Sequence, residues 1–284
     1  MTARRIAPLA LLALLLAPGA PLAAQALKHY TASRQFHGEV HLVATVEFAG
    51  GTLHVGAGDP GELYALRLAY DPTRAQPVNR WDAAQAAVTL GLTGRDAGAM
   101  GVGGSGAAQT AEVTFSPQAD LDLTLQTGAS ESRADFGGLR LASLVVETGA
   151  SRTEVDFSRP NAMRCREAAF RAGAAQLTVQ RLGDARCDRV SFEGGAGSAA
   201  LDYSGAWSGT TTLSAKLAVG GLTLRIPRSV GVTLTTERFL STFEPAGFTR
   251  QGNRYTSTNR GTATRFLDVT LNASLGGVTI EWVD

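Results

Sequence analysis

The sequence predicts an all-β protein: a β-solenoid-like stack of short strands in repeats of 21–25 residues, preceded by a β-rich N-terminal module. Three observations carry this. First, Leu125–Leu139 (LQTGASESRADFGGL) and Val146–Pro160 (VETGASRTEVDFSRP) share TGAS, an Arg and Asp-Phe, with Gly149 21 residues after Gly128. Second, turn glycines recur at Gly128, Gly149, Gly173, Gly195 and Gly220. An apolar residue stands three positions before each (Leu125, Val146, Phe170, Phe192, Leu217) and six after each (Ala134, Val155, Val179, Leu201, Ile226). Third, the flanks alternate, as in Leu121-Asp-Leu123-Thr-Leu125 and Val278-Thr-Ile280-Glu-Trp282, the period of a strand with one face in a core. One such unit cannot bury its apolar face alone; stacking units makes a continuous core. The leucine-rich-repeat signature is missing, and a Greek-key sandwich is the main rival.

The elements follow in chain order. A basic start with Arg4 and Arg5, an Ala/Leu run over Pro8–Leu16 and an A-x-A site at Ala24–Ala26 make residues 1–26 a secretory signal peptide, too short to span a bilayer. No later segment is apolar enough to span. The N-terminal module covers 27–112. In it Val40–Phe48 alternates, Ala49-Gly50-Gly51 turns the chain, and Thr52–Val55 returns as a hairpin. Leu63–Tyr70 is a strand ended by Asp71-Pro72, and Trp81–Val88 reads as a helical turn or two. Asp96–Ala108 is a Gly/Ala-rich loop or seam. The repeat domain covers 113–284. Within it Asn161–Ala172 is contested: repeat alignment says strand, whereas its helix formers, a plausible N-cap and Gly173 say helix.

Charge excludes one class of partner. The chain has 26 Lys plus Arg against 25 acids; losing Arg4 and Arg5 with the signal leaves 24 against 25, a net charge of about −1. That is not the basic footprint of a nucleic-acid binder.

Three stretches support a family resemblance. GAGDPGELYALRLAYDPTRAQPVNRW (Gly56–Trp81) resembles the N-terminal module of the toast-rack family, with a Gly-rich turn, a strand and a Y-D-P exit. VGGLTLRIPRSVGVTLTTERFLSTFE (Val219–Glu244) and LDVTLNASLGGVTIEW (Leu267–Trp282) resemble the C-terminal domain of LiaF-like cell-wall-active antibiotic response proteins. Adhesin-like β-solenoid domains share the same short-strand grammar. The resemblance implies a non-enzymatic cell-envelope protein, without cofactor, and supplies no catalytic residues. Its partner would be a membrane sensor, another envelope protein or a surface glycan. Unlike LiaF, this chain carries a cleavable signal instead of several membrane helices.

Candidate sites are few. His37 and His41 share a face but, four apart on a strand, stand ~13 Å apart, too far for one metal ion. Gly101–Gly106 (GVGGSG) lacks the Lys-Ser/Thr of a phosphate loop. Asp135, Asp156 and Asp202 occupy one repeat position. On stacked coils Asp135 and Asp156 would lie ~4.8 Å apart, near the separation of a retaining glycosidase pair or in reach of one Ca²⁺. Asp at a strand exit also serves simply as a corner, hydrogen-bonding local backbone N–H groups. Cys165 and Cys187 each lie eight residues before a repeat glycine. Neighbouring coils bring such a pair within disulfide reach, and an exported chain would keep it oxidised; two buried free thiols are the alternative. The expected function is thus an exported, periplasmic or secreted non-enzymatic envelope protein presenting a solenoid surface for partner binding, in envelope-stress sensing or adhesion. A carbohydrate-active β-helix enzyme or glycan-binding protein is the alternative.

Overall fold

A computed structural model describes residues 27–95, 109–239, 243 and 245–284. The signal-peptide and Gly/Ala-loop expectations fall outside them. The stack is built from long strands that bend once: β1 (His41–Ala57), β2 (Asp120–Asp135), β3 (Cys165–Gln180), β4 (Cys187–Asp202), β5 (Thr210–Pro227) and β6 (Arg265–Val283). Between β2 and β3 one coil is split into β7 (Arg140–Thr148) and β8 (Arg152–Asp156). All pair in parallel with their neighbours, in register except for one shift, where Leu121 faces Leu141 and Asp122 faces Ser143. Each coil folds its two half-strands over the core, with a bend near the repeat glycine and a turn at the opposite corner.

Residue choice explains the bend. Alternation buries Leu42, Ala44, Val46 and Phe48 before it and Leu53 and Val55 after it. The parity of the buried positions changes across Ala49–Thr52, which carries the chain from one sheet face to the other. The core is therefore a set of columns. Val46, Leu125, Val146, Phe170, Phe192, Ala215 and Leu271 stand in register and all are buried. Burying each large side chain contributes ~1.5–3 kcal/mol.

At both ends a parallel strand is followed by antiparallel ones, which limit the open sheet edge that invites aggregation. At the N-terminal end β9 (Lys28–Gln35), β10 (Glu62–Tyr70) and β11 (Thr110–Phe115) extend the second half of β1, while β12 (Ala75–Asp82) and β13 (Ala87–Gly94) extend its first half. At the other end β14 (Val230–Phe239) lies outside β6, followed by β15 (Arg254–Ser257) and β16 (Phe248–Gln251).

Several expectations change. Residues 40–55 are not a hairpin: both halves of β1 run parallel to β2, so the Gly pair turns a corner rather than reversing the chain. β1 is thus a coil of the stack. The boundary expected between 112 and 113 lies within the strand Thr110–Phe115. Trp81–Val88 is strand, turn and strand; the Asp82 carboxylate accepts the Ala84 and Gln85 N–H groups and makes the turn without a helix. The contested segment is strand from Cys165, because its alternate residues Ala168 and Phe170 fill core columns. One short helix, Leu182–Ala185, sits in the next turn.

The repeat alignment holds through Gly195 and then slips by two. Gly194 pairs with Leu217 and Gly197 with Gly220, so Gly195 lies beside Ala218, and the core equivalents are Ala215 and Leu224 instead of Leu217 and Ile226. A slip of two preserves inside–outside alternation, which is why periodicity did not expose it. Gly220 is glycine for another reason. Its φ is +126°, and a Cβ there would lie 2.0 Å from the Gly197 carbonyl oxygen.

Candidate functional site

In-register stacking turns each outward position into a ladder along the molecule. At the bend, two residues before the repeat glycine, the ladder reads Glu47, Gln126, Glu147, Arg171, Glu193, Lys216 and Asn272. Beside it lie Ala49, Gly128, Gly149, Gly173, Gly195, Ala218 and Ser274, all small. Side-chain ladder and bare floor form a groove of about 950 Å³. Six steps between seven rungs give a length of ~29 Å.

The ladder neutralises itself. Arg171 Nη1 donates to Glu147 Oε1 at 2.6 Å, and Gln126 Nε2 donates to the other Glu147 oxygen at 3.0 Å. Lys216 Nζ donates to Glu193 at 2.9 Å, and this hydrogen bond and charge hold the Glu193 carboxyl below its usual range. Arg80 approaches Glu47 at 3.6 Å. Glu147, Glu193, Arg171 and Lys216 remain between one third and two thirds exposed, so these contacts fix geometry more than they stabilise.

The aspartate ladder lies at the opposite corner. Asp135 and Asp156 are register partners, and Asp202 ends β4 at the same repeat position. Asp135 Oδ1 accepts the Gly137 and Ser158 N–H groups at 2.9 and 3.1 Å. Burial alone would raise its pKa, but Ser158, Gly137 and Arg181 together lower it. Asp156 is bound by Arg181, yet burial, together with the Asp135 charge, raises its carboxyl. Asp202 Oδ1 accepts the Ser204 N–H at 2.8 Å. These are the contacts of turn-forming aspartates. Among the described residues no three His, Cys, Asp or Glu side chains are placed to share a metal ion.

His37 lies in the loop before β1 rather than on a strand, so the strand spacing expected between it and His41 does not apply, and the two rings have different partners. His37 Nδ1 lies 2.9 Å from the Gln35 carbonyl, and His41 Nε2 lies 2.9 Å from Asp122 Oδ2. Asp122 also accepts Ser143 and Arg166. Burial pushes its carboxyl up, but the Ser143, His41 and Arg166 contacts outweigh that and lower it. Ser143 bonds the carboxylate and not the imidazole in these contacts, so the trio is not wired as a nucleophile and its base.

Cys165 and Cys187 are register partners joined by a disulfide, with Cα atoms 4.2 Å apart. Sequence reasoning missed the neighbouring Asn161, which is 2% exposed. Its side chain accepts the Leu141 N–H and donates to the Leu141 and Ala185 carbonyls, tying three successive coils. Only the Pro160-Asn161 break in alternation hinted that an amide replaces backbone pairing there. Among the described residues no helix is long and apolar enough to cross a membrane.

The chain is similar in shape to two solved structures. One is a "putative cell adhesion protein" from Clostridium sporogenes ATCC 15579, at 15% identity and TM-score 0.48, covering 90% of this chain and 100% of that one. The other is a "putative adhesin" from Bacteroides fragilis NCTC 9343, at 11% identity and TM-score 0.40, covering 90% and 97%. A comparison with curated proteins finds no match. The family model described as the N-terminal domain of toast_rack, DUF2154, matches residues 24–180, spanning β1, the N-terminal closing strands and the first coils through β3. The chain belongs to the toast-rack family.

Proposed function

We propose that this is an exported, non-catalytic cell-envelope protein that docks an extended partner along the bend groove. One observation carries the reading: a continuous groove crosses seven rungs, with its charges paired internally and a floor of Gly, Ala and Ser. Such a surface suits a long, weakly charged partner, either a segment of another envelope protein or sensor, or a neutral surface glycan. The disulfide supports an oxidising compartment outside the cytoplasm. A role in envelope-stress sensing or adhesion is the finer form of this proposal. The rival carbohydrate-active enzyme would use the aspartate corner, where Asp135 and Asp202 are engaged by turn N–H groups and Asp156 by Arg181.

The test is site-specific photocrosslinking in intact cells. A photoreactive residue at Gln126 or Lys216 should capture one defined species, whereas one at Thr178, on the half-strand of β3 past the bend, should not. Identical patterns from both faces would refute groove docking. Hydrolysis of any glycan, lost in both Asp135→Asn and Asp156→Asn, would establish the enzyme instead.

A further inference from the structure

A second concavity lies at the C-terminal cap, away from the bend groove. It has a volume of about 230 Å³ and is lined by Thr233, Thr235, Thr270, Arg254, Arg260 and Asp268, among others. Register places these together. Thr233 pairs with Asp268, Thr235 with both Thr270 and Arg254. Val232 and Leu234 are fully buried in the core, so alternation points Thr233 to the outer side, toward the concavity. Yet Thr233 is only 6% exposed, and its Oγ1 has no hydrogen-bond partner. A buried hydroxyl without a partner costs stability.

The two arginines differ. Arg260 is held in place: Nη1 donates to the Gly231 carbonyl at 3.1 Å, Nη2 meets Asp268 at 3.0 Å, and the guanidinium lies 4.4 Å from the Phe266 ring centre. Arg254 has no carboxylate partner among the described residues. Two guanidinium charges against the single Asp268 carboxylate leave the pocket one positive charge in excess.

We propose that this pocket binds an oxyanion, a phosphate or carboxylate group carried by an envelope polymer, with Arg254 supplying charge-assisted hydrogen bonds and Thr233 the buried hydroxyl. Guanidinium and hydroxyl donors around a pocket of this size match such a group. The proposal is independent of groove docking, because it uses a different surface and a different chemistry.

Calorimetric titration of the full chain with inorganic phosphate and, separately, with glucuronate tests it. Saturable binding of either probe is expected, and the probe that binds identifies phosphate or carboxylate as the source. Arg254→Gln should weaken it about tenfold, the loss of one charge-assisted contact. Thr233→Val should weaken it severalfold, with Thr233→Ser restoring it, whereas Arg250→Gln on the same hairpin should leave it unchanged. Circular dichroism verifies that the variants fold. A Thr233 that only burdens the fold would give a more stable Val variant with unaltered binding. That result, or the absence of binding by both probes, overturns the proposal.

Discussion

Replacing Gly220 and Gly221 separately with Ala tests the register of the stack. The two glycines are adjacent, so each substitution removes similar conformational freedom from the unfolded chain. They differ in the folded state. At Gly220 φ is +126° and the new Cβ would lie 2.0 Å from the Gly197 carbonyl oxygen; at Gly221 nothing lies within 4 Å. Holding a non-glycine residue in that backbone region costs ~1–3 kcal/mol. Relieving the clash must also separate β4 from β5, weakening ladder hydrogen bonds worth ~0.5–1.5 kcal/mol each. Gly220→Ala should therefore lose roughly 3–5 kcal/mol, whereas Gly221→Ala should be neutral or gain ~0.4–1 kcal/mol. For a chain of this length the difference is roughly 10 °C in Tm. Thermal unfolding followed by circular dichroism measures it, with hydrogen exchange at Val219–Leu222 to localise the loss. Melting temperatures within ~2 °C of each other would refute the pairing of Gly197 with Gly220.

Replacing both Cys165 and Cys187 with Ala opens a loop of 22 residues and should cost on the order of 3 kcal/mol in the chain-entropy account; an unchanged urea midpoint would contradict that. Tyr203→Phe removes a hydroxyl that has no partner in a side chain 1% exposed, so it should raise stability by ~1 kcal/mol, and a lower Tm would mean that the hydroxyl is satisfied. Asp135 has a lowered folded pKa, because its turn hydrogen bonds and Arg181 outweigh burial. Its contribution is present above the unfolded value and lost as pH falls through the folded one. Asp135→Asn should therefore be less stable than the native chain at pH 7, with the gap closing below pH ~4; a constant gap would show that the carboxylate charge plays no part.

What the sequence made legible was whatever recurs. Alternation and the TGAS echo identified the strands, the stack and the Cys165–Cys187 juxtaposition, because in-register pairing places equivalent residues side by side. Features that occur once were not legible. The order β5–β6–β14 puts a later strand between two earlier ones, and no local pattern encodes that exchange. The bend of β1 resembled a hairpin because Gly50-Gly51 permits either a corner or a reversal, and only parallel pairing with β2 decides. The role of Asn161 was hidden because its three hydrogen bonds go to residues 20 and 24 positions away. The groove itself was partly visible as a column of small residues, but its charged wall emerges only when the rungs are aligned.

That wall follows a constraint that parallel stacking imposes on every outward column. Neighbouring rungs stand ~4.8 Å apart, so like charges on adjacent rungs repel. The column Glu47, Gln126, Glu147, Arg171, Glu193, Lys216, Asn272 never places two like charges side by side. With Arg80 beside Glu47, its three acids meet three bases. A groove balanced in this way has little long-range field, whereas the cap pocket keeps Arg254 without a carboxylate partner. Raising salt from ~0.01 M to ~1 M shortens the Debye length from ~30 Å to ~3 Å. Docking along the groove should survive that change nearly intact, while oxyanion binding at the cap should weaken steeply. Salt dependence therefore separates the two surfaces, and equal sensitivity at both would mean that the groove is also read through charge.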